Sequence, residues 1–262
     1  MQKKPRTKLI SKDNPETEYF EMLSSINANL VDDTRMVFIA RKLMPVRNTK
    51  YLWIRHDVDH DLTKAVDMAR AEAEYGYYST YFLLHSAEYW DGPEFGRMVR
   101  ELVTLGHSLG IHNNALATWR QNKSGPTPIE IIKNAKKRLE DLSGHPVYFT
   151  SSHGDRVCRE KGFNNYDMWE ESLSVSNGRW RNMGELTPTF LSSLHLNEAY
   201  FVRRDAYLTD SGYKWRGAIR KEIPTFEHFD KVIGAKDTVA RFNHLPEGVM
   251  QLLVHPCWWE IK

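Results

Sequence analysis

Short apolar or β-branched runs alternate with amphipathic helical segments along most of this chain, and that alternation restricts the fold more than any other feature. One strand opens at Tyr51, and others are expected at 79–84, 107–112, 147–151, 173–176, 207–210 and 249–255, each bounded by turn residues. Between them, residues 62–75 place Leu62, Ala65, Val66, Ala69 and Ala73 on one helical face, and 93–105 do the same with Phe95, Met98, Val99 and Leu102. Thr127, Pro128 and Glu130 supply an N-cap, a first-position proline and a capping-box acid for a helix whose stripe is Ile132, Ala135, Leu139 and Leu142. Gly76, Gly106 and Gly144 stand where these helices should end. About seven strands, mostly separated by helices, predict a parallel β/α barrel or a doubly wound sheet.

The polar residues favour the barrel. In both architectures the active site lies at the carboxyl ends of the strands, and here those ends carry Asp57 and Asp59, His85, His112, Ser152 and His153, Asp210, and His255. The expected fold is therefore α/β, a distorted seven-stranded parallel β/α barrel over 51–262, with residues 1–50 as a leader and a covering helix. That helix is expected over 14–30, started by Asn14 and Pro15, with Phe20, Leu23, Ile26 and Leu30 on its buried face.

At 262 residues, with 41% hydrophobic and 27% charged, the chain can bury one large core but not two comfortable ones. Its 36 basic and 34 acidic residues leave a net charge of +2 with no basic tract, which argues against a nucleic-acid partner. The first twenty residues hold cations but no apolar signal region, and no later run approaches the ~20 apolar residues that span a bilayer, so no transmembrane segment is expected. Two cysteines, Cys158 and Cys257, lack CxxC spacing, which fits a reducing compartment and argues against a thiolate zinc site. A cytoplasmic location follows as the expectation.

The stretch YLWIRHDVDHD at 51–61 concentrates chemistry. Strand alternation sets Trp53, Arg55, Asp57 and Asp59 on one side and Leu52, Ile54, His56 and Val58 on the other. Two carboxylates on one strand face repel unless a cation or a proton separates them, so Asp57 and Asp59 are candidates for catalysis or metal binding. The Asp57, Asp59, Asp61 spacing is not an EF loop, because Leu62 and Met68 occupy the positions of the turn glycine and the bidentate glutamate. Asp61 is better placed as a helix N-cap.

Alternation likewise groups Ser108, Gly110 and His112, with small residues beneath the histidine. His255 closes an apolar strand that Pro256 terminates, on the face opposite Leu252 and Val254. His153 follows a strand and precedes a glycine, which suits a ligand, an acid–base group or a turn histidine bonded to backbone. His107, at the opposite end of its strand, is expected to be structural. Arg179-Trp180-Arg181 and Lys214-Trp215-Arg216 set tryptophan between cations, as a sugar platform beside an anion grip would. With Asp210 at a strand end, they give Asp210, Trp215, Arg179 and Trp180 as substrate-binding candidates.

The order of these motifs resembles the polysaccharide deacetylases of the NodB-homology family, metal-dependent carbohydrate esterases on a distorted seven-stranded barrel. Its paired-aspartate motif has a counterpart in His56-Asp57-Val58-Asp59, its histidine motif in Gly106-His107-Ser108-Leu109-Gly110-Ile111-His112, and its last motif in Leu252-Leu253-Val254-His255. Leu116 stands where the family has a second histidine, and Ser152-His153-Gly154 where it has an arginine and a proline. The resemblance implies hydrolysis of an amide, most readily N-deacetylation of an amino sugar in a soluble, nucleotide-linked or lipid-linked glycan precursor. It implies Asp57 as base, His255 as acid, and Asp59 and His112 as ligands of a divalent metal, zinc first, with cobalt, nickel or manganese as alternatives. Catalytic zinc usually takes three protein ligands, and His153 is the residue expected to replace the absent histidine. Two other readings stay open, a metal amidohydrolase acting on a non-sugar C–N bond and an inactive sugar-binding protein.

Overall fold

The structure, a computed structural model, describes residues 15–174, 186–212, 214–220 and 229–261. Ten strands form one sheet: β1 (Asn29–Leu30), β2 (Lys50–Val58), β3 (Thr80–Leu84), β4 (Ser108–Asn113), β5 (Phe149–Ser152), β6 (Asn197–Glu198), β7 (Ala206–Thr209), β8 (Arg216–Arg220), β9 (Phe229–Ile233) and β10 (Gly248–Val254). Their order is β6-β5-β4-β3-β2-β10-β7-β8-β9, with β1 paired to the start of β2. From β6 to β7 every pair is parallel, and β8 and β9 add an antiparallel edge.

The sheet curls into a half-barrel, as two observations require. β2 pairs with β10, so the first and last long strands are neighbours and the opening falls between the edge strands β6 and β9. β2 and β5 lie three strands apart, about 14 Å on a flat sheet, yet the rings of Trp53 and Phe149 are 4.8 Å apart and Arg55 bonds Ser151 across the interior. Gln251 of β10 likewise reaches the carbonyl of Ala199, beyond β6.

The two faces of β2 follow the expected alternation. Trp53 joins Phe82, Phe149 and Val249 in the barrel interior, while Leu52 and Ile54 pack outward against the helices. These are α1 (Pro15–Ser24), α2 (Asp33–Ala40), α3 (Leu62–Glu74), α4 (Phe95–Thr104), α5 (Ala115–Gln121), α6 (Pro128–Ser143), α7 (Arg156–Lys161) and α8 (Ala235–His244). Asp61 caps α3 by accepting from the Lys64 amide. The capping box of Thr127 and Glu130 opens α6, and Gly144, at φ 72°, closes it. Within α1, Tyr19 donates to the carboxylate of Glu72 in α3, and Phe20 stacks on Tyr75 at 4.0 Å, so the covering helix shares one apolar cluster with β2, β7 and β10.

Some expectations need correction. The covering helix stops at Ser24, and Leu30 belongs to β1. Of the strand expected at 173–176, the described residues 173 and 174 belong to a 3-10 turn, Glu170–Ser174, and the rest lies outside the described residues. The sixth parallel strand is instead Asn197–Glu198, too short for an apolar run to announce it. No described helix is long and apolar enough to cross a membrane.

Candidate active site

Three strands carry their inward alternation to their carboxyl ends, two of them one residue beyond, and meet. Trp53, Arg55 and Asp57 lead to Asp59; Ser108 and Gly110 lead to His112; Phe149 and Ser151 lead to His153. Asp59, His112 and His153 each offer one ligand atom, and these atoms lie within 4.8 Å of one another. His112 Nε2 is 3.1 Å from Asp59 Oδ1 and 3.9 Å from Asp57 Oδ2, and His153 Nε2 is 3.7 Å from Asp59 Oδ1.

The hydrogen bonds settle the tautomer of His112. Its Nδ1 donates to the Ser151 carbonyl at 2.8 Å, since a carbonyl can only accept. Nε2 then faces the Asp59 carboxylate, and between those two atoms either a proton or a cation must reside. Without a cation, burial works against charge on the ring, but Asp57 and Asp59 outweigh it and raise the His112 pKa. Burial also opposes ionisation of Asp59, yet the His112 hydrogen bond and the charges of His112, His255 and His153 hold its carboxyl well below the usual range. Burial and the neighbouring His112 push His153 down to about 4, so its ring is neutral near pH 7. A carboxylate with two imidazoles is a donor set for zinc or a similar divalent ion. His153 Nδ1 is buried with no hydrogen-bond partner among the described residues, so nothing orients that ring from behind.

The register of β2 and β10 pairs His56 with Val254, which brings Asp57 and His255 to one level on adjacent inner faces. His255 Nδ1 donates to Asp210 Oδ1 at 2.6 Å, its ring stacks on Trp258 at 4.4 Å, and its Nε2 is left to the site. Burial lowers the His255 pKa, but the hydrogen bond and charge of Asp210, with the charges of Asp57 and Asp59, outweigh it and raise it. Asp210 is fully buried, and it also accepts from the amide of His255 and from Trp259 Nε1. It orients His255 from behind rather than meeting a ligand.

Trp215 does not reach this mouth either. It is buried in the outer cluster, 5.7 Å from the Trp259 ring, with Nε1 donating to Glu18 of the covering helix. A tryptophan between cations reads alike as platform or as core, and here it is core. Arg179 and Trp180 lie outside the described residues. Leu116, at the place of the absent histidine, packs with Ala117, Cys158 and Phe163 away from the site. His85 sits beside the cluster and accepts the Asn114 amide at Nε2; burial, then His112 and His153, bring it to about 4. His107 is structural, its ring bonded to Ser79 and to the Ala69 carbonyl.

Sequence reasoning placed Arg55 on the site-facing side without giving it a role, and it missed Ser151. Ser151 and Arg55 occupy inward positions directly below His153 and Asp57, and alternation alone would have placed Ser151 there.

No family model matches the chain, and no curated protein does. Solved structures do. They are family 4 carbohydrate esterases and polysaccharide deacetylases. A CE4 esterase of Streptococcus mutans is 13% identical over 87% of this chain and 80% of that one, at a TM-score of 0.46. The catalytic domain of a peptidoglycan N-acetylglucosamine deacetylase from Eubacterium rectale is 13% identical over 80% and 78%, at 0.41. A CE4 family pseudoenzyme from Bacillus anthracis is 9% identical over 86% and 71%, at 0.39. Across eight of these matches, this chain covers between 56% and 82% of the solved chains.

Proposed function

We propose that this chain hydrolyses an amide, and that the bond is the N-acetyl group of an amino sugar. The observation that carries the reading is the convergence of Asp59, His112 and His153 at the strand ends, with Asp57 and the His255–Asp210 pair on the adjoining inner face. The motif order of the paired aspartates and the two strand-end histidines supports it.

In this reading Asp59, His112 and His153 hold one divalent ion, zinc by its preference for this donor set. When bound, such an ion polarises an acyl oxygen and lowers the pKa of water. The protein's own groups move the protons. Asp57, whose Oδ2 is held by the Ser151 hydroxyl and lies 3.9 Å from His112 Nε2, accepts the proton of the attacking water. His255 carries a proton on Nε2 to the departing amine, and Asp210 stabilises the imidazolium while it does so. Burial excludes bulk water from Asp57 and His112, which strengthens each charge interaction.

The test is acetate release from an N-acetylated chito-oligosaccharide by protein purified without chelator, with and without added zinc. Zinc-dependent release of acetate is expected. Sugar binding without any release would favour the non-catalytic reading, and release of ammonia or amine from small amides alone would favour a non-sugar amidohydrolase.

A further inference from the structure

We propose that Ser151, backed by Arg55, is the positioning device for Asp57, and that it works independently of the ligand side of the site. This rests on the reading of Asp57 as base. Arg55 is fully buried in the barrel interior, with its guanidinium 4.8 Å from the Tyr200 ring and 5.7 Å from that of Phe82. Its Nη1 donates to Ser151 Oγ at 3.0 Å. An arginine has donors only, so the hydroxyl must spend a lone pair on Arg55 and turn its own hydrogen elsewhere. The acceptor within reach is Asp57 Oδ2, at 3.2 Å. The guanidinium therefore fixes the hydroxyl rotor, and the rotor fixes which carboxylate oxygen faces inward.

The consequence for the base is what matters for chemistry. The oxygen that Ser151 holds is the one that lies 3.9 Å from His112 Nε2, while Asp57 Oδ1 is buried with no hydrogen-bond partner among the described residues. A carboxylate pinned through Oδ2 cannot rotate away from an incoming water, and that oxygen keeps a second lone pair for it. Meanwhile the Ser151 carbonyl holds His112 through Nδ1. One residue thus serves both halves of the site with different atoms, hydroxyl for the base and carbonyl for the candidate ligand. Only the hydroxyl can be removed by substitution, so the two roles separate cleanly.

The experiment compares the parent chain with Ser151→Ala, Ser151→Thr and Arg55→Met, measuring zinc affinity by calorimetry and acetate release from the chito-oligosaccharide. Ser151→Ala is expected to keep zinc affinity within about twofold and KM near the parent value. Its kcat is expected to fall about 10- to 100-fold, the scale of a reacting group displaced by about 1 Å. Ser151→Thr, which restores a hydroxyl, should recover most of that loss, a rescue that a packing role would not produce. Arg55→Met should follow Ser151→Ala; should it fail to fold, the serine pair decides alone. An active parent matched by an equally active Ser151→Ala overturns this inference and leaves the hydrolase reading standing, as does a Ser151→Ala that loses zinc together with turnover. A parent that releases no acetate overturns the hydrolase reading and this inference with it.

Discussion

Asp57, on β2, and Asp59, one residue past its end, face the same way, yet their surroundings divide them. Asp59 is half-buried and faces two imidazoles, whereas Asp57 is buried over Ser151, with one oxygen tied and one not. That division predicts different outcomes for their removal. Asp57→Asn should retain zinc but lose about two to four orders of magnitude in kcat, the usual worth of a general base; parental turnover in that variant would move the base elsewhere. Much of this was legible from strand alternation, which placed Asp57, Asp59, His112 and His255 inward before any coordinates. His153 was legible only as one option among several, because a residue past a strand end has no periodicity of its own, and its inward direction is inherited from Phe149 and Ser151. Asp210 stood at a strand end like the others, and burial against His255 and Trp259, which no local pattern announces, is what turns it from the mouth.

At the scale of elements, β4 shows why small residues lie beneath His112. Gly110 leaves no room above it: a Cβ there would stand 2.4 Å from Phe82 Cδ1. The glycine admits the Phe82 ring to the interior layer, so Gly110→Ala is expected to cost about 1–3 kcal/mol of stability by overpacking, measured by denaturant unfolding. Unchanged stability would mean that the ring moves freely. Outside the barrel, α1, α3, β2 and β3 are tied by Glu72, whose buried carboxylate accepts from Tyr19, Ser79 and Tyr81 and bonds His56 Nε2. Burial raises the Glu72 pKa less than His56, His107 and Ser79 lower it, and it settles at about 2. A carboxyl depressed on folding stabilises the fold fully above its ordinary pKa of 4.5 and loses that contribution as pH falls towards 2. Glu72→Gln should therefore lower stability at pH 7 by about 2–5 kcal/mol, as for other broken buried charge networks, and flatten the pH dependence between those limits. An unaltered acid unfolding profile would contradict that role. Long helices with caps, such as α6, were readable from sequence, whereas β1 and β6, two residues each, were not, because so short a strand is defined by its partners and not by its composition.

For the molecule as a whole, curling is what makes a site. On a flat sheet the ends of β2 and β5 would lie too far apart for Asp59 and His153 to share anything; the curl from β2 to β5 brings Asp59, His112 and His153 together. The barrel was predictable from the alternation of strands and helices and from polar residues at successive strand ends. The position of the opening, and the antiparallel edge of β8 and β9, depend on pairings between distant segments that the local pattern leaves undetermined. The convergence itself can be measured by titrating zinc into chelator-treated protein and following the heat. One ion per chain is predicted for the parent and for His85→Ala, with binding lost in His112→Ala and Asp59→Ala and severely weakened in His153→Ala; a His153→Ala variant that binds zinc as the parent does, or a parent that binds none, would contradict the account.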